Sequence, residues 1–474
     1  MNLNKLNLLA LLVVPANIYC AEKTAKLSAE KAHTLKITDF FKTSKSKGDK
    51  DPSLTILPLQ IKPKLGMALF SGKEINLFLA SAVMNMQPGS QALMSLYDAS
   101  FHDDKLSMNP LLKSLYNQYE KKIALDTQVI LDHKNIKNAQ FLLFSNFLKS
   151  IGCQVNKFEP TKLIDGESSV FQNPEYGSLH QKFYVFDGCL PDSSSSEKSA
   201  LAVITSHNST TSGMNDDQLN DALVIAIPNV INQLRARFNL IKDSASETVK
   251  ISKDLKASKL AKGEPDFKPI DFGKLNLQKI NSDRLELLAS PLNVTDQSII
   301  PKIVEEINQE TKCIQIASFQ FSHAKVVEAL IKSLERGVRV ECVLNHEKCL
   351  LTTTSFGGNV GNLAVSRLKD AIHKNNNNGF VKVESAKYLH HKFYTFHDRQ
   401  SVITGSLNCS GNSEKNCAEV DVKIADYENF SAYHNYFTKL ASTAQIPELT
   451  NLESVHQSLI KSKNYSYKLN EWKP

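Results

Sequence analysis

Between about residues 66 and 445 the chain alternates two patterns of apolar and polar positions. Short runs rich in β-branched and aromatic residues predict strands at Ile75–Ala80, Leu93–Tyr97, Gln128–Leu131, Phe183–Phe186, Ala200–Thr205 and Ala222–Ile227. Apolar residues recurring every three or four positions predict helices at Pro110–Lys121, Ala139–Ser150 and Asn229–Ile241. The pattern then restarts with a strand at Leu285–Leu288, a helix at Ile299–Glu310 and a buried strand at Cys313–Ser318. A helix at His323–Glu335 follows, with Val326, Val327, Leu330, Ile331 and Leu334 on one face and Gly337 to end it. Next come a strand at Val338–Leu344 and further strands and helices to about Leu440. This alternation argues for α/β layers. The same order occurring twice argues for an internal repeat, at a period too long for a solenoid.

Length agrees, since 474 residues exceed one ordinary core. We divide the chain into residues 1–20, 21–65, 66–242, 243–283, 284–445 and 446–474. The first segment reads as a signal peptide, with Lys5 before an apolar core from Leu6 to Val14 and cleavage near Ala16 or Cys20. That expectation makes the protein secreted or periplasmic; an uncleaved anchor is the alternative. Residues 21–65 are a polar lead-in, and 191–196 (Pro-Asp-Ser-Ser-Ser-Ser) a surface insertion. The loop from Asn345 to Gly361 is expected to move. Residues 243–283 form a polar linker carrying Lys250, Lys253, Lys256, Lys259 and Lys262, and 446–474 a polar tail.

Composition narrows the class modestly. The 42% hydrophobic and 22% charged content is globular, and the net charge of +7 favours an anionic partner only weakly. Eight cysteines become seven if cleavage follows Cys20, an odd number that fits a disulfide framework badly. Cys342 with Cys349, or Cys409 with Cys417, could pair in an oxidising compartment. No Cys/His spacing suits zinc, and no metal or cofactor is expected.

The chemistry concentrates in two related stretches. Leu179-His180-Gln181-Lys182-Phe183-Tyr184-Val185-Phe186-Asp187 leads on to Thr205-Ser206-His207-Asn208. Leu389-His390-His391-Lys392-Phe393-Tyr394-Thr395-Phe396-His397-Asp398 leads on to Thr404-Gly405-Ser406-Leu407-Asn408, 210 residues later. Alternation along a strand puts His180 and Lys182 on one face, and His390 and Lys392 likewise, so each pair can reach one anionic oxygen centre. Two other His-x-Lys triplets, at His323 and His346, lack the downstream context and read as chance. Phe183, Tyr184, Phe393 and Tyr394 read as core residues of the motif strands.

Both stretches resemble the HxKx4D…GSxN signature of the phospholipase D superfamily, over most of residues 66–445. In the second copy the pattern runs on through Ser413 and Asn416 to Glu419, as in single-motif members such as endonucleases and a cardiolipin hydrolase. The resemblance implies an α/β fold of two pseudo-symmetric phospholipase D-like domains, each a mixed β-sheet flanked by helices, sharing one site. It also implies a metal-independent phosphodiesterase without cofactor. A neutral imidazole attacks phosphorus and a protonated one serves the leaving alkoxide. By the resemblance His180 is the nucleophile and His390 the acid. Lys182, Lys392, Ser206, Asn208, Ser406 and Asn408 are expected to hold the phosphate oxygens. An acid beyond the motif should fix each histidine's tautomer. Glu419 fills that place in the second half, and aligning Asp221-Ala222-Leu223-Val224 with Glu419-Val420-Asp421-Val422 nominates Asp221 in the first.

Asp187, Asp398 and Gly405 are the expected structural members of the motifs. His397 stands where the second motif Asp belongs, and a small bulge would bring Asp398 back into place. Thr205 replaces the glycine found at Gly405 and would crowd a tight backbone. The leading expectation is hydrolysis of a phospholipid head-group phosphodiester with peripheral membrane contact by a plausibly monomeric chain. A nuclease acting on nucleic acid is the enzymatic alternative. A non-catalytic binder of anionic surfaces is the alternative of another class.

Overall fold

The computed structural model describes residues 66–101, 108–135, 138–165, 168–190, 199–214, 217–247, 269–270, 272, 284–290, 299–351 and 360–447. The signal-like segment, the lead-in, the serine insertion, the linker lysines and nearly all of the tail lie outside the described residues. The first sheet contains β1 (Gly66–Leu69), β2 (Gln91–Leu96), β3 (Asp126–Leu131), β4 (Gln154–Phe158), β5 (Phe183–Leu190), β6 (Ser199–Thr205), β7 (Ala222–Ile225) and β8 (Ala245–Glu247). Their order is β1-β7-β6-β5-β2-β3-β4-β8. The second contains β9 (Leu285–Ser290), β10 (Cys313–Ser318), β11 (Arg339–Asn345), β12 (Gly379–Glu384), β13 (Lys392–Phe396), β14 (Ser401–Gly405) and β15 (Cys417–Ile424), in the order β9-β15-β14-β13-β10-β11-β12. Apart from the edge strand β8, the two orders superimpose strand for strand. Each sheet is mixed: β2, β3 and β4 run parallel, as do β10, β11 and β12, whereas the motif strands β5 and β13 run antiparallel to their neighbours.

Helices form three layers around the sheets. α1 (Gly72–Asn85), α2 (Pro110–Glu120) and α3 (Ala139–Ser150) cover the outer face of the first sheet. α5 (Ile299–Gln309), α6 (Ala324–Glu335) and α7 (Val360–Lys374) cover the outer face of the second. Between the sheets lie α4 (Pro228–Asp243) and α8 (Tyr427–Thr443), in a core that mixes both halves, with Phe183 and Ile204 beside Phe393, Val420 and Tyr433. Burying each such large apolar side chain contributes roughly 2–3 kcal/mol, so the interface is a core and not a loose contact.

The strand expected at Ile75–Ala80 is instead helix α1. Ile75, Phe78, Leu79, Ala82 and Val83 are all buried, a spacing of three and four that a short window reads as a continuous apolar run. The Ser71 hydroxyl accepts the Glu74 N–H at 3.4 Å and caps the helix. Strands β1 and β4 escaped the sequence reading, the one being a short edge and the other interrupted by polar residues. The linker reading fails at its described residues. Ala245–Glu247 pairs with β4, the Ile270 N–H donates to the Ser81 hydroxyl at 2.9 Å, and Phe272 is buried in the first core. In the 345–361 loop, Glu347–Leu351 is helical and Gly361 already lies in α7. Cys342, Cys349, Cys409 and Cys417 are all free thiols.

The halves also exchange strands. Ser178–Leu179, immediately before His180, pairs in parallel with Cys417–Ala418 of β15. Gln218–Leu219 pairs in parallel with Tyr388–Leu389, immediately before His390. Each motif is therefore held by backbone hydrogen bonds from the opposite half: Gln181 N–H to the Ala418 carbonyl at 2.6 Å, and His390 N–H to the Leu219 carbonyl at 2.9 Å.

Candidate active site

The strand exchange brings both motifs to one buried centre. His180, Lys182, His390 and Lys392 are each less than a tenth exposed. Lys182 Nζ donates to the His180 carbonyl at 2.5 Å, and Lys392 Nζ to the His390 carbonyl at 2.6 Å. Each ammonium also lies over a ring, Lys182 over Tyr97 at 4.9 Å and Lys392 over Phe319 at 5.0 Å. The same two rings meet the histidines edge-on, at 4.7 Å for Tyr97 with His180 and 4.8 Å for Phe319 with His390. Tyr97 and Phe319 follow β2 and β10 directly, so the fold itself repeats this arrangement. Motif residues Phe183, Tyr184, Phe393 and Tyr394 are buried in the cores.

The partners of the two imidazoles differ. His180 Nδ1 lies 2.8 and 2.9 Å from the two Glu419 carboxylate oxygens, across the interface. His390 Nδ1 lies 2.9 Å from Asn220 Oδ1, likewise across the interface. Asp221 does not occupy the place assigned to it. It faces His391, with Nδ1 2.8 Å from Asp221 Oδ1, and takes further bonds from Thr404 and from the Tyr433 hydroxyl at 3.0 Å.

The error is one residue of register. The Ser206 N–H donates to the Asp221 carbonyl, whereas Ser406 N–H donates to the Val420 carbonyl, so Asn220 is the counterpart of Glu419. A one-residue slip turns a side chain to the other face of a strand. Spacing gave no clue, since Glu419 is 13 residues beyond Ser406 and Asn220 is 14 beyond Ser206.

Ser206 and Ser406, expected on the phosphate, serve these partners instead. The Ser406 hydroxyl donates to Glu419 Oε2 at 2.6 Å. The Ser206 hydroxyl reaches Asp221 Oδ1 at 3.1 Å and Asn220 Oδ1 at 3.4 Å. Asn208 and Asn408 are buried, and the Oδ1 of each has no hydrogen-bond partner.

Thr205 is accommodated by a second exchange. Gly405 has φ +157°, and a Cβ there would sit 2.4 Å from Asp421 Oδ1. Asp421 uses that oxygen to accept the N–H groups of Ser406 at 2.7 Å and Leu407 at 3.0 Å. In the first half the residue opposite Thr205 is Ala222, which has no carboxylate to meet the threonine side chain. The Thr205 hydroxyl takes over the bond, accepting the His207 N–H at 2.9 Å. A glycine–aspartate pair has thus become a threonine–alanine pair.

Of the remaining motif residues, Asp187 is paired with Arg235. Asp398 is not restored by a bulge. Strands β13 and β14 pair in unbroken register, and Asp398 sits exposed in the turn beyond them, 2.9 Å from both Lys312 Nζ and Thr311 Oγ1. A register shift occurs in the first half instead, between Phe186 and Leu190. His397 packs edge-on against Phe430 and His434. Sequence reasoning also missed Arg237, fully buried on α4, whose Nε donates to Gln181 Oε1 at 3.1 Å and Nη2 to the Ser290 carbonyl at 2.9 Å.

Burial dominates the electrostatics. It holds His180 and His390 well below the usual imidazole range, with Lys182 and Lys392 pushing the same way. Burial also lowers the Lys182 ammonium to about 8 and holds Lys392 well below the usual lysine range, with repulsion from Lys182 adding to the effect on Lys392. It raises Glu419 to about 8 and Asp421 to about 7. Asp221 ends below its usual value, because His391, Thr404 and Tyr433 outweigh its burial. The site therefore presents uncharged imidazoles beside two buried lysines whose charged form burial disfavours and a bound anion would favour. Among the described residues no group of three or more His, Cys, Asp or Glu side chains could hold a metal.

A two-halved α/β protein whose paired His-Lys motifs meet at one buried centre is what the resemblance to the phospholipase D superfamily implies. Residues 303–441 match the family model "Cardiolipin synthase, PLD-like domain". Among solved structures the chain is similar to phosphatidylserine synthase of Haemophilus influenzae Rd KW20, at 13% identity and a TM-score of 0.59, over 86% of this chain and 94% of that one. It also matches Nuc of Salmonella typhimurium, a phospholipase D family member, at 16% identity and a TM-score of 0.28, over 34% of this chain and 95% of that one. No curated protein matches the sequence. Residues 303–441 are matched as a PLD-like domain, and the likeness to the solved synthase extends that fold, though not a function, over most of the chain.

Proposed function

We propose that this protein is a metal-independent phosphodiesterase that cleaves the head-group ester of a phospholipid through a phosphohistidine on His180. The observation that carries the proposal is the pair of buried histidines with unlike partners, a carboxylate behind His180 and an amide behind His390. When the His180 Nδ1–H donates to Glu419, Nε2 keeps its lone pair and can attack phosphorus. The N-phosphoryl imidazolium that forms is stabilised by the carboxylate. The negative charge of the bound diester favours protonation of His390 at Nε2, and as the P–O bond breaks the leaving alkoxide takes that proton. Asn220 orients that imidazole without stabilising its charged form, so it releases the proton readily. Water then loses a proton to His390, its oxygen attacks phosphorus, and the P–N bond breaks to return His180. Lys182 and Lys392 hold the non-bridging oxygens, and the substrate's negative charge restores their protonation.

Lipid chemistry is favoured over nucleic acid by two likenesses. The matched family model carries the name of cardiolipin synthase, and the similar solved structure is a phosphatidylserine synthase. Both names describe phosphatidyl transfer, so an alcohol can replace water in the second step. The signal-like N-terminus supports a site of action outside the cytosol. The test is turnover of labelled phosphatidylcholine, phosphatidylglycerol and single-stranded DNA in excess chelator. Lipid turnover trapped as a phosphoprotein, lost in His180→Ala, is expected. Cleavage of DNA alone, or dependence on a metal, would sink the proposal.

A further inference from the structure

Directly behind the Asn220–His390 contact lies a second contact of the same kind. The next residue of each segment, Asp221 and His391, also meets across the interface, with Oδ1 2.8 Å from Nδ1. Successive residues of an extended chain point to opposite sides. His390 therefore turns to the buried centre, and His391 turns into the core between the sheets, against Phe393 and Tyr436. Burial would raise the Asp221 carboxyl, yet His391, Thr404 and Tyr433 hold it below the usual carboxylate value. An ionised carboxylate only accepts hydrogen bonds, so the His391 Nδ1 carries a proton and donates.

Four side chains converge on this carboxylate. Ser206 comes from the first half; His391, Thr404 and Tyr433 come from the second. Asp221 and His391 are both fully buried. No such pair stands behind His180. There the residue after Glu419 is Val420, buried among apolar neighbours. The counterpart of His391 is Gln181, whose amide donates to Ser95 of its own half at 2.9 Å. Glu419 grips His180 with both carboxylate oxygens, whereas Asn220 holds His390 by one oxygen of a neutral amide. Hydrogen bonds between neutral groups are roughly half as strong as those with an ionised member. His390 gains the missing hold from ionised Asp221 one residue away, because that contact fixes both backbone segments on which the amide contact depends.

We propose that Asp221 and His391 are positioning residues for His390, holding Asn220 and the imidazole in the geometry that proton transfer to the leaving alkoxide requires. Both act through the Asn220–His390 contact. The inference rests on the reaction proposed above, in which His390 is the acid.

The test compares first-turnover rates on two esters in mixed micelles, phosphatidylcholine and phosphatidyl-4-nitrophenol. In both, the bond from His180 Nε2 to phosphorus forms as the P–O bond breaks. Choline must leave with a proton from His390, whereas nitrophenolate keeps the electron pair and leaves without one. Loss of a positioned acid therefore raises the nitrophenyl-to-choline rate ratio, while general damage to the site lowers both rates alike. His391→Leu is expected to raise the ratio about tenfold or more. Asp221→Asn keeps the side-chain shape, so it reads the same rise even where His391→Leu does not fold. His391→Asn, whose amide N–H falls where the Nδ1–H stood, should restore the ratio of the unsubstituted protein. An unchanged ratio in Asp221→Asn, with a raised ratio in His390→Ala, overturns the positioning role and leaves the acid reading standing. An unchanged ratio in His390→Ala overturns the acid reading and this inference with it.

Discussion

The two halves share a strand order and then diverge at equivalent positions. Behind one histidine stands Glu419, behind the other Asn220. Beside one motif a threonine faces an alanine, beside the other a glycine faces an aspartate. Between the motif strand and the middle-layer helix, the Asp187–Arg235 ion pair in the first half corresponds to His397 against His434 in the second. At the interface Arg237 with Gln181 corresponds to Tyr436 with His391, whose Nε2 lies 3.0 Å from the Tyr436 hydroxyl. Positions that hold backbone and packing are exchanged as matched pairs, so the geometry survives. The partner behind the imidazole is the exception. There the exchange sets a carboxylate against an amide, and two equivalent histidines face different partners.

The comparison can be broken most forcefully at the histidines. Either His180→Ala or His390→Ala should lower turnover of a phosphatidyl diester by about 10⁴-fold or more, because neither half works alone. Near-normal rates in one of them would return the site to a single half.

The carboxylate and the amide come next. Glu419→Gln should cost about 10³-fold in kcat, by analogy with loss of a triad aspartate. Asn220→Asp should cost only about tenfold at neutral pH, by making His390 hold its proton more tightly. Equal losses in the two variants would erase the proposed division of roles.

The pH profile sharpens the same point. Glu419 is raised to about 8, so the form with an ionised carboxylate and a free His180 Nε2 lone pair accumulates as pH rises through that value. Lys182 is lowered to about 8, so phosphate binding fades as pH rises past the same value. The expected kcat/KM profile is a narrow bell near pH 8, and Glu419→Gln should lose its rising limb. A flat profile between pH 6 and about 9 would contradict both assignments.

Smaller effects test the exchanged pairs. Gly405→Thr should destabilise by about 2–3 kcal/mol in denaturant titration, through overlap with Asp421. Adding Asp421→Ala should recover only the part of that loss owed to the carboxylate, since the Val420 carbonyl stays 2.4 Å from the new Cβ; no recovery would show that the pairs are not equivalent. Smallest is Arg235→Ala, whose partly exposed ion pair with Asp187 should contribute no more than about 1 kcal/mol.

Much of the layout was legible because its signals are local. Strand Cys313–Ser318 and helix Ala139–Ser150 were read with their observed bounds, since apolar spacing and flanking turn residues define both. Helix α1 was misread because a stretch buried on more than one face has no clear period in a short window. The site was half legible. His180, Lys182, His390 and Lys392 stand out by type and spacing, whereas Asn220 has neither a distinctive type nor a fixed offset.

What the sequence by itself determined, then, is the repeat, the alternation of strands and helices, and the residues able to do phosphodiester chemistry. These depend on composition and on spacing within a few residues. The tertiary structure alone decided which half serves which histidine, that Asp221 turns to His391, and that Thr205 is tolerated. Those outcomes depend on strand register and on packing between segments some 170 to 240 residues apart. A one-residue slip reverses the face of a strand while leaving the local pattern almost unchanged.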